Sequence, residues 1–294
     1  MSFVETEIAS QPETWSHAAE MAALPSVRAA LPAPGERVAI VGCGTSFNVA
    51  QACAVLRERS GQGETDAFAA SEFPYGRHYD RVIAICRSGT TTEMVELVGT
   101  LAETTATTVV STATDLPVPR LAKAVVTLDF ADEQSVVQTR FATTVIALWR
   151  AYLGENLAGA IADATAAIAA PAPDVFAEQY TFLGTGWTIG LAHEAALKLR
   201  EAAQLWTESY AAMEYRHGPI SIADEHSSVW VFGPLPDGLA DQVAATGATL
   251  TTTGADPLAL LVTAQRTAVA IAAAKNLDPD KPRALTRAVI LDES

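Results

Sequence analysis

Continuous hydrophobic runs alternate along the chain with longer stretches in which hydrophobic residues recur at helical spacing. In the first half, the runs that predict strands lie at residues 37–41, 81–85, 107–111 and 124–128. The stretches that predict helices lie at residues 47–59, 92–103 and 142–153. Short apolar strands separated by helices are typical of a parallel sheet that helices cover on both faces.

The second half shows the same alternation. Its predicted strands lie at residues 180–183, 205–207, 228–232, 249–253 and 258–262, followed by a helix over 264–276 and an extended tail over 278–294. Residues 157–173 are rich in alanine and end in Pro171-Ala172-Pro173, which is typical of a helix and linker. The pattern therefore predicts two α/β domains, at residues 1–156 and 174–294, joined by this linker.

Two short motifs occur twice with the same separation. Gly42-Cys43-Gly44-Thr45 and Gly184-Thr185-Gly186-Trp187 both follow apolar runs and lie 142 positions apart. Ala69-Ala70-Ser71-Glu72-Phe73 and Ala211-Ala212-Met213-Glu214-Tyr215 show the same offset of 142. A shared offset in separate segments predicts two copies of one fold unit.

The helix predicted after the second glycine motif carries Glu194, Lys198 and Glu201. Their i, i+4, i+7 spacing places them on one helix face. A charge ladder of this kind is usually exposed to solvent. The first copy, however, has Ala52 and Leu56 at the positions of Glu194 and Lys198, which favours an inward-facing ladder. Two carboxylates around an ammonium in a cleft have pKa values that are driven apart, as acid/base catalysis requires.

A cluster of hydroxyl side chains follows the strand predicted at residues 81–85. It surrounds Gly89 and consists of Ser88, Thr90, Thr91 and Thr92. Hydroxyls at a helix start commonly act as helix caps. They also hold phosphate, together with backbone N–H groups, at the carboxyl edge of a parallel sheet. Thr45 and Ser46 follow a neighbouring strand in the same way, which favours a phosphate-binding role.

A single histidine, His217, lies in a turn that ends in Gly218-Pro219. A histidine in a turn is more often solvated or a capping residue than a catalytic one. A turn beside the strand ends could also present it as a proton shuttle. The sequence contains no Gly-x-Ser-x-Gly, His-Glu-x-x-His or Cys-x-x-Cys motif, which disfavours hydrolase triads and zinc sites.

Composition narrows the class of protein. Of the 294 residues, 49% are hydrophobic and 18% charged, which is typical of a globular chain. The formal net charge of −15 argues against nucleic acid or an anionic membrane as a partner. No apolar run is long enough to span a membrane, and the first fifteen residues are acidic, unlike a secretory signal. Three cysteines without metal-ligand spacing suit a reducing compartment. We therefore expect a soluble cytoplasmic protein that contains no metal or other cofactor.

Taken together, these motifs resemble the double sugar isomerase (SIS) domain family, which includes the isomerase half of glucosamine-6-phosphate synthase and related amino-sugar isomerases and deaminases. The segments that carry the resemblance are Cys43-Gly44-Thr45-Ser46, Arg87-Ser88-Gly89-Thr90-Thr91, Ser135-Val136-Val137-Gln138-Thr139-Arg140, residues 194–201 and Arg216-His217-Gly218-Pro219. The resemblance implies two tandem SIS domains, each a flavodoxin-like parallel sheet flanked by helices. The glutaminase half has no counterpart in the sequence, so glutamine-dependent synthesis is not expected.

The resemblance also implies residue roles. Glu201 matches the base that moves a proton between C1 and C2, and Lys198 and Glu194 match residues that assist it. His217 matches a ring-opening histidine that reaches the site of a partner subunit, which implies a homodimer.

Substrate contacts follow from the same resemblance. The implied phosphate and substrate contacts are Ser88 and Thr91, with Thr45, Ser46, Arg87, Gln138 and Arg287 nearby. Arg87 stands in place of a glutamine of the synthase. Arg287 stands in place of the lysine that forms an imine with the sugar. Arginine stays protonated in proteins, so it cannot form that imine, although it can bind an anion.

Three functions remain open from the sequence. The first is aldose/ketose isomerisation of a sugar or amino-sugar phosphate through an enediol, with a sugar phosphate as the partner molecule. The second is release of ammonia or an amine from an amino-sugar phosphate. The third is a sensor that binds a sugar phosphate without turnover, and the presence of all four acid/base residues weighs against it.

Overall fold

The computed structural model of the protein describes residues 2–171, 173 and 177–291. The chain forms two compact units, each assembled from three segments. The five-strand unit contains Glu13–Glu133, Arg140–Leu157 and the tail from Thr286 onward. The four-strand unit contains the residues up to Pro12, Gln134–Thr139 and Ala158–Leu285. Each unit is therefore completed by segments that are distant in sequence.

The α-helices of the described residues, in chain order, are α1 (Phe3–Ala9), α2 (Gln11–Met21), α3 (Pro25–Ala30), α4 (Thr45–Arg59), α5 (Thr92–Leu101), α6 (Pro117–Leu121), α7 (Arg140–Tyr152), α8 (Ala158–Ala169), α9 (Thr188–Ala203), α10 (Leu239–Thr246) and α11 (Pro257–Ala274). The two longest, α9 and α11, pack against each other in the four-strand unit.

The five-strand unit is built on a parallel sheet. Its strands are β1 (Val38–Gly42), β2 (Thr65–Ala69), β3 (Arg81–Ile85), β4 (Ala106–Ser111) and β5 (Ala124–Thr127). They pair in the order β2-β1-β3-β4-β5, and all pairs are parallel. β1 is buried throughout, as expected for a central strand with helices on both faces.

Long-range contacts fix the helices of the five-strand unit. Trp15 on α2 is fully buried, and its Nε1 donates to Oγ1 of Thr143 on α7 at 2.9 Å. Arg57 at the end of α4 is also fully buried, and its guanidinium donates to the carbonyls of Gln62 and Ala33 at 2.7 and 2.9 Å. A buried guanidinium is tolerated here because backbone carbonyls take the place of water.

The four-strand unit contains a second parallel sheet. Its strands are β6 (Gln179–Gly184), β7 (Thr207–Ala211), β8 (Ser227–Phe232) and β9 (Thr249–Thr251), paired in the order β7-β6-β8-β9. One face packs on a core that includes Leu183, Tyr215, Val231 and Leu239. Two parallel sheets flanked by helices confirm the predicted α/β fold class.

Most predicted strands are present, but the strand predicted at residues 258–262 is wrong, because these residues form the start of α11. Asp256 caps this helix by accepting from the N–H of Leu258 at 2.9 Å, and Pro257 occupies the first helical position. A short apolar run is buried in either conformation, so its hydrophobicity does not distinguish a strand from a core helix. The pattern also missed β2 and placed β7 too early, since both edge strands are only partly buried.

Some predictions fall partly on residues outside the described ranges. These are Ala172 in the linker predicted at 157–173, the start of the second predicted domain at 174–176, and residues 292–294 of the tail. Within the described ranges, α11 is the one helix that is long and apolar enough to cross a membrane, and 61% of that stretch is buried inside the protein, as in the core helix of a globular domain.

Candidate functional site

The charged residues predicted on one helix face form a buried cluster on α9. Nζ of Lys198 lies 3.2 Å from Oε1 of Glu194 and 2.5 Å from Oε2 of Glu201. The side chains of Lys198 and Glu194 are 1% and 2% exposed, whereas that of Glu201 is 17% exposed. The ladder is therefore buried rather than solvated, and Glu201 is its more accessible carboxylate.

Lys198 carries its charge in this cluster. Burial by itself favours the neutral amine, but Glu194 and Glu201 outweigh it, so the pKa of Lys198 is raised above its ordinary value. A protonated amine has no lone pair with which to attack a carbonyl. Lys198 can therefore hold both carboxylates in place, and the role of Glu201 as the base stays a prediction.

The start of α9 lies unusually close to the end of β6. A Cβ at Gly184 would lie 2.3 Å from the carbonyl oxygen of Thr188, so this position requires glycine. Oγ1 of Thr188 donates to the carbonyl of Phe232 at the end of β8 at 2.5 Å. Alanines on the buried face of α9, among them Ala195 and Ala196, are fully buried. Small residues let the helix approach the sheet closely, which contributes to the burial of the charged side chains on the same helix.

His217 ends a short 3-10 helix, Glu214–His217, that follows β7. It is exposed, and the next residue, Gly218, has a φ of 137°, a conformation that favours glycine. Arg216 ties this turn to α10, because its Nε donates to Oε1 of Gln242 at 2.6 Å. His217 is thus presented on a fixed turn of the four-strand unit, and its role in ring opening stays a prediction.

The hydroxyl cluster lies at the carboxyl end of β3 in the five-strand unit. Oγ of Ser88 lies 3.2 Å from Oγ1 of Thr91 and accepts from the N–H of Thr90 at 3.4 Å. Thr91 is the N-cap residue of α5, but its side chain makes no capping hydrogen bond within the described chain. The hydroxyls of Ser88 and Thr91 face each other rather than the helix end. This arrangement is not that of a side-chain helix cap, and the phosphate contacts predicted for Ser88 and Thr91 stay predictions.

Gly89 gives this turn its shape. Its φ is 64°, and a Cβ there would lie 2.7 Å from Cβ of Leu116. A side chain at this position would therefore strain the backbone and collide with the loop before α6.

Thr45 and Ser46 lie at the carboxyl end of β1, at the start of α4, and each is 4% exposed. Because β1 and β3 are parallel neighbours, the two predicted phosphate-binding turns lie at the same edge of one sheet. Cys43 lies beside them, and its pKa is raised to about 12 by burial and then by the charge of Glu93. The thiol is thus neutral at ordinary pH and adds no negative charge to this edge.

Arg87 points into the protein. Its side chain is 1% exposed, and Nη1 lies 3.3 Å from Oε2 of Glu133, which is fully buried. Nη2 donates to the backbone carbonyl of Arg287 at 3.4 Å. These contacts hold the guanidinium among protein groups, so the phosphate contact predicted for Arg87 stays a prediction.

Arg287 is bound to the loop that precedes α7. Its guanidinium donates to the backbone carbonyl of Glu133 and to Oδ1 of Asp132. Two residues further on, the carbonyl of Val289 accepts from the N–H of Thr92 at 3.1 Å, at the start of α5. The tail is therefore fixed beside the hydroxyl cluster by Arg287, and its predicted substrate contact also stays a prediction.

Gln138 lies in the four-strand unit, in the segment Gln134–Thr139. Its side chain is half-buried, and Oε1 is shielded from solvent without accepting a hydrogen bond from any described residue. A buried acceptor without a donor costs about 1–3 kcal/mol, which a ligand hydroxyl would offset. The substrate contact predicted for Gln138 stays a prediction.

Among the described residues, no cluster of histidine, cysteine, aspartate and glutamate has the arrangement of a metal site. The groups that remain are hydroxyls, carboxylates, an ammonium and an imidazole. Hydroxyls of the five-strand unit are of a kind that can bind an anion, and carboxylates and an imidazole of the four-strand unit are of a kind that can transfer protons.

The chain is similar over most of its length to curated proteins that are glutamine–fructose-6-phosphate aminotransferases. It is 27% identical to the protein of Methanothermobacter thermautotrophicus, over 87% of this chain and 52% of that one. It is 27% identical to the protein of Caulobacter vibrioides, over 99% of this chain and 59% of that one. The chain is homologous to the sugar isomerase (SIS) domains of these aminotransferases. No family model matches it, and it spans about half the length of the curated relatives it matches.

Solved structures share the SIS fold of this chain. Glucosamine-6-phosphate deaminase from Thermotoga maritima superposes with a TM-score of 0.79 at 22% identity, over 99% of this chain and all of that one. Tagatose-6-phosphate ketose/aldose isomerase from Escherichia coli superposes with a TM-score of 0.80 at 20% identity, over 99% of this chain and 96% of that one. At these identities the likeness concerns the fold alone.

Two buried carboxylates of the protein were missed by sequence reasoning. Glu133 pairs with Arg87 and accepts from the N–H of Arg140 at 2.8 Å. Glu7 is 3% exposed and accepts from the N–H of Gln134 at 2.6 Å. Neither carboxylate belongs to a motif with regular spacing. Their partners are either distant in sequence or are backbone N–H groups, so no local sequence pattern reveals them.

Proposed function

We propose that this SIS protein is a phosphosugar isomerase that interconverts an aldose phosphate and a ketose phosphate through an enediol. The observation that carries the proposal is the cluster on α9, in which buried Lys198 holds Glu194 and the partly exposed Glu201. A general base must be held in place and must reach the proton that it accepts, and a partly exposed carboxylate held by an ammonium meets both conditions.

The reaction needs one proton to move between two neighbouring carbons. In the aldose-to-ketose direction, Glu201 accepts the proton from C2 and leaves an enediol across C1 and C2. The same carboxyl group returns the proton to C1, and the proton of the C2 hydroxyl is transferred to the oxygen of C1, so that the carbonyl forms at C2. Lys198 stays protonated and holds Glu201, and no electron acceptor or metal is required in this scheme.

The phosphate group would be bound by the hydroxyl cluster. Ser88 and Thr91 face each other at 3.2 Å, and Thr45 and Ser46 lie at the same sheet edge. Hydroxyls and backbone N–H groups suffice to bind phosphate at a helix start. Phosphate binding thus falls to the five-strand unit and proton transfer to the four-strand unit, as expected if the two are diverged copies of one fold.

We further propose that His217 opens the sugar ring and that it acts in the site of a partner subunit. Its exposure and its fixed turn support a role at a neighbouring subunit. The active form would then be a homodimer, and the acidic net charge of −15 suits a cytoplasmic enzyme that acts on a small metabolite.

Release of ammonia from an amino-sugar phosphate is the second candidate. The same carboxylates and imidazole would serve it, and one protein with this fold is a glucosamine-6-phosphate deaminase. A coupled assay for conversion of glucose 6-phosphate to fructose 6-phosphate, run beside an ammonia-release assay with glucosamine 6-phosphate, separates the two. Ammonia without hexose isomerisation would replace the first proposal by the second.

A sugar-phosphate sensor is the remaining alternative. It predicts binding of hexose phosphates in a thermal-shift assay without turnover of any of them. A ligand at about 100 times its dissociation constant stabilises the folded state by about 2.7 kcal/mol, which such an assay detects easily. If no sugar phosphate shifts the melting temperature, the phosphate site itself is disproved.

A further inference from the structure

We infer that Glu7 is a positioning residue for substrate binding, because its carboxylate fixes the segment that carries Gln138. This inference rests on the proposed function, and it concerns a residue of α1 to which no motif assigns a role. Glu7 does not itself contact the sugar in this scheme. It acts through the backbone of residues 134–139.

The contact of Glu7 with this segment is direct and buried. Oε1 of Glu7 accepts from the N–H of Gln134 at 2.6 Å and from the N–H of Ser135 at 3.2 Å. Glu7 is 3% exposed and Ser135 is fully buried. Hydrogen bonds to an ionised carboxylate are about twice as strong as bonds between neutral groups, and burial strengthens them further.

Asp280 also binds these two segments. Its backbone carbonyl accepts from the N–H of Val136 at 3.1 Å. Its carboxylate accepts from the N–H groups of Phe3 and Val4 at 2.8 Å each, at the start of α1. Three consecutive N–H groups, from Gln134 to Val136, are therefore bound by α1 and by the segment around Asp280.

This anchoring bears directly on Gln138, the candidate binding group of the segment. Gln138 is two residues beyond the last anchored N–H, and its Oε1 is buried without a donor among the described residues. An amide can present its oxygen to a sugar hydroxyl only if the backbone beneath it is fixed, since an error of about 1 Å removes the hydrogen bond. Glu7 thus determines where Gln138 can bind.

The test compares the variants E7Q, E5Q and D280N with the wild-type chain. Glu5 lies on the same helix but is exposed, and within the described ranges its side chain bonds only with Ser2, so E5Q is the matched control for α1. D280N weakens the cap of α1 but retains the backbone carbonyl that binds Val136. Amide hydrogen exchange should accelerate at Gln134 and Ser135 in E7Q and remain unchanged there in E5Q.

Kinetics separate positioning from a general loss of folded protein. Gln138 would bind the substrate and the transition state equally, so E7Q should raise KM for the sugar phosphate about tenfold, equivalent to about 1.4 kcal/mol, with kcat unchanged. A lower fraction of folded enzyme would instead lower the apparent kcat and leave KM unchanged. Inhibition by inorganic phosphate, which the hydroxyl cluster would bind, should be unaffected.

A double-mutant cycle with Q138A completes the test. If Glu7 acts through Gln138, the double variant E7Q/Q138A should have the same KM as Q138A alone. Additive effects, or an unchanged KM in E7Q, would overturn the inference while the isomerase proposal stands. A wild-type chain that neither binds nor converts any sugar phosphate would overturn the proposed function, and the inference with it.

Discussion

The ammonium of Lys198 lies 2.5 Å from a carboxylate oxygen of Glu201, and both side chains arise from one face of α9. The spacing of three residues along the helix thus places the two charges in a buried ion pair. Removing one partner of a buried pair leaves the other charge unpaired, at a cost of about 3–5 kcal/mol. We therefore expect K198M, which keeps a similar volume, to lower the free energy of unfolding by about this amount in urea titrations.

The stability contributed by Lys198 should depend on pH. Its pKa is raised in the folded state, because the two carboxylates outweigh the burial that opposes its charge. Because the folded-state pKa is the higher one, the stabilisation is fully present below the unfolded-state pKa of about 10.4. It is lost as the pH rises through the folded-state value. The difference in free energy of unfolding between the wild type and K198M should thus be constant near neutral pH and shrink above about pH 10.4. A free-energy difference that grows above this pH would contradict the raised pKa of Lys198.

Replacing Glu201 by glutamine should abolish turnover without preventing binding. The amide keeps the shape of the side chain but cannot accept a proton, and a positioned base contributes about 10²–10⁴-fold to the rate. The thermal shift produced by the sugar phosphate should be retained. Glu225, which is exposed, provides the control variant E225Q. Comparable turnover in E201Q would disprove its role as the base.

The hydroxyls of Ser88 and Thr91 should account for phosphate affinity. A hydrogen bond to a charged group contributes about 1.5–3 kcal/mol, so S88A and T91V should each weaken inhibition by inorganic phosphate about tenfold or more. Thr100 lies on α5, the helix that Thr91 precedes; it is exposed, and its hydroxyl donates to the carbonyl of Glu96, so T100V is the matched control. Equal inhibition constants in all three variants would place the phosphate elsewhere.

Two glycines near α5 should respond in opposite directions to alanine. Gly89 has a positive φ and lies against Leu116, so G89A should destabilise the protein by about 1–3 kcal/mol. Gly99 lies within the helix, and its nearest neighbour would be 3.7 Å from a new Cβ. G99A should therefore stabilise the protein by about 0.5–1 kcal/mol. Thermal unfolding of both variants measures the difference, and similar melting temperatures would contradict it.

Mixing two inactive variants would test the proposed homodimer. If His217 acts in the site of the partner subunit, H217A and E201Q mixed in equal amounts and allowed to exchange subunits should recover about one quarter of the wild-type activity. Each mixed dimer would then contain one site with both groups intact. Separately purified H217A and E201Q must stay inactive under the same conditions. Failure to recover activity despite subunit exchange would place His217 in the site of its own subunit.

Several features of the protein followed from the sequence alone. Helical periodicity placed Glu194, Lys198 and Glu201 on one face, and the apolar Ala52 and Leu56 at the equivalent positions indicated that this face is buried. Apolar runs located β1, β3 and β8 to within one residue at either end. These are local properties, because the repeat of a helix or strand fixes which side chains share a face.

Tertiary structure decided the rest. The apolar run at residues 258–262 is compatible with a strand or with a core helix. The cap by Asp256 and the packing of α11 on α9 favour the helix. Arg87 could face a ligand or the interior, and its pairing with buried Glu133 turned it inward. The anchoring of residues 134–136 by Glu7 and Asp280 joins segments more than a hundred residues apart. Buried charges and backbone groups must find partners wherever the fold provides them, and no local pattern records which partner that will be.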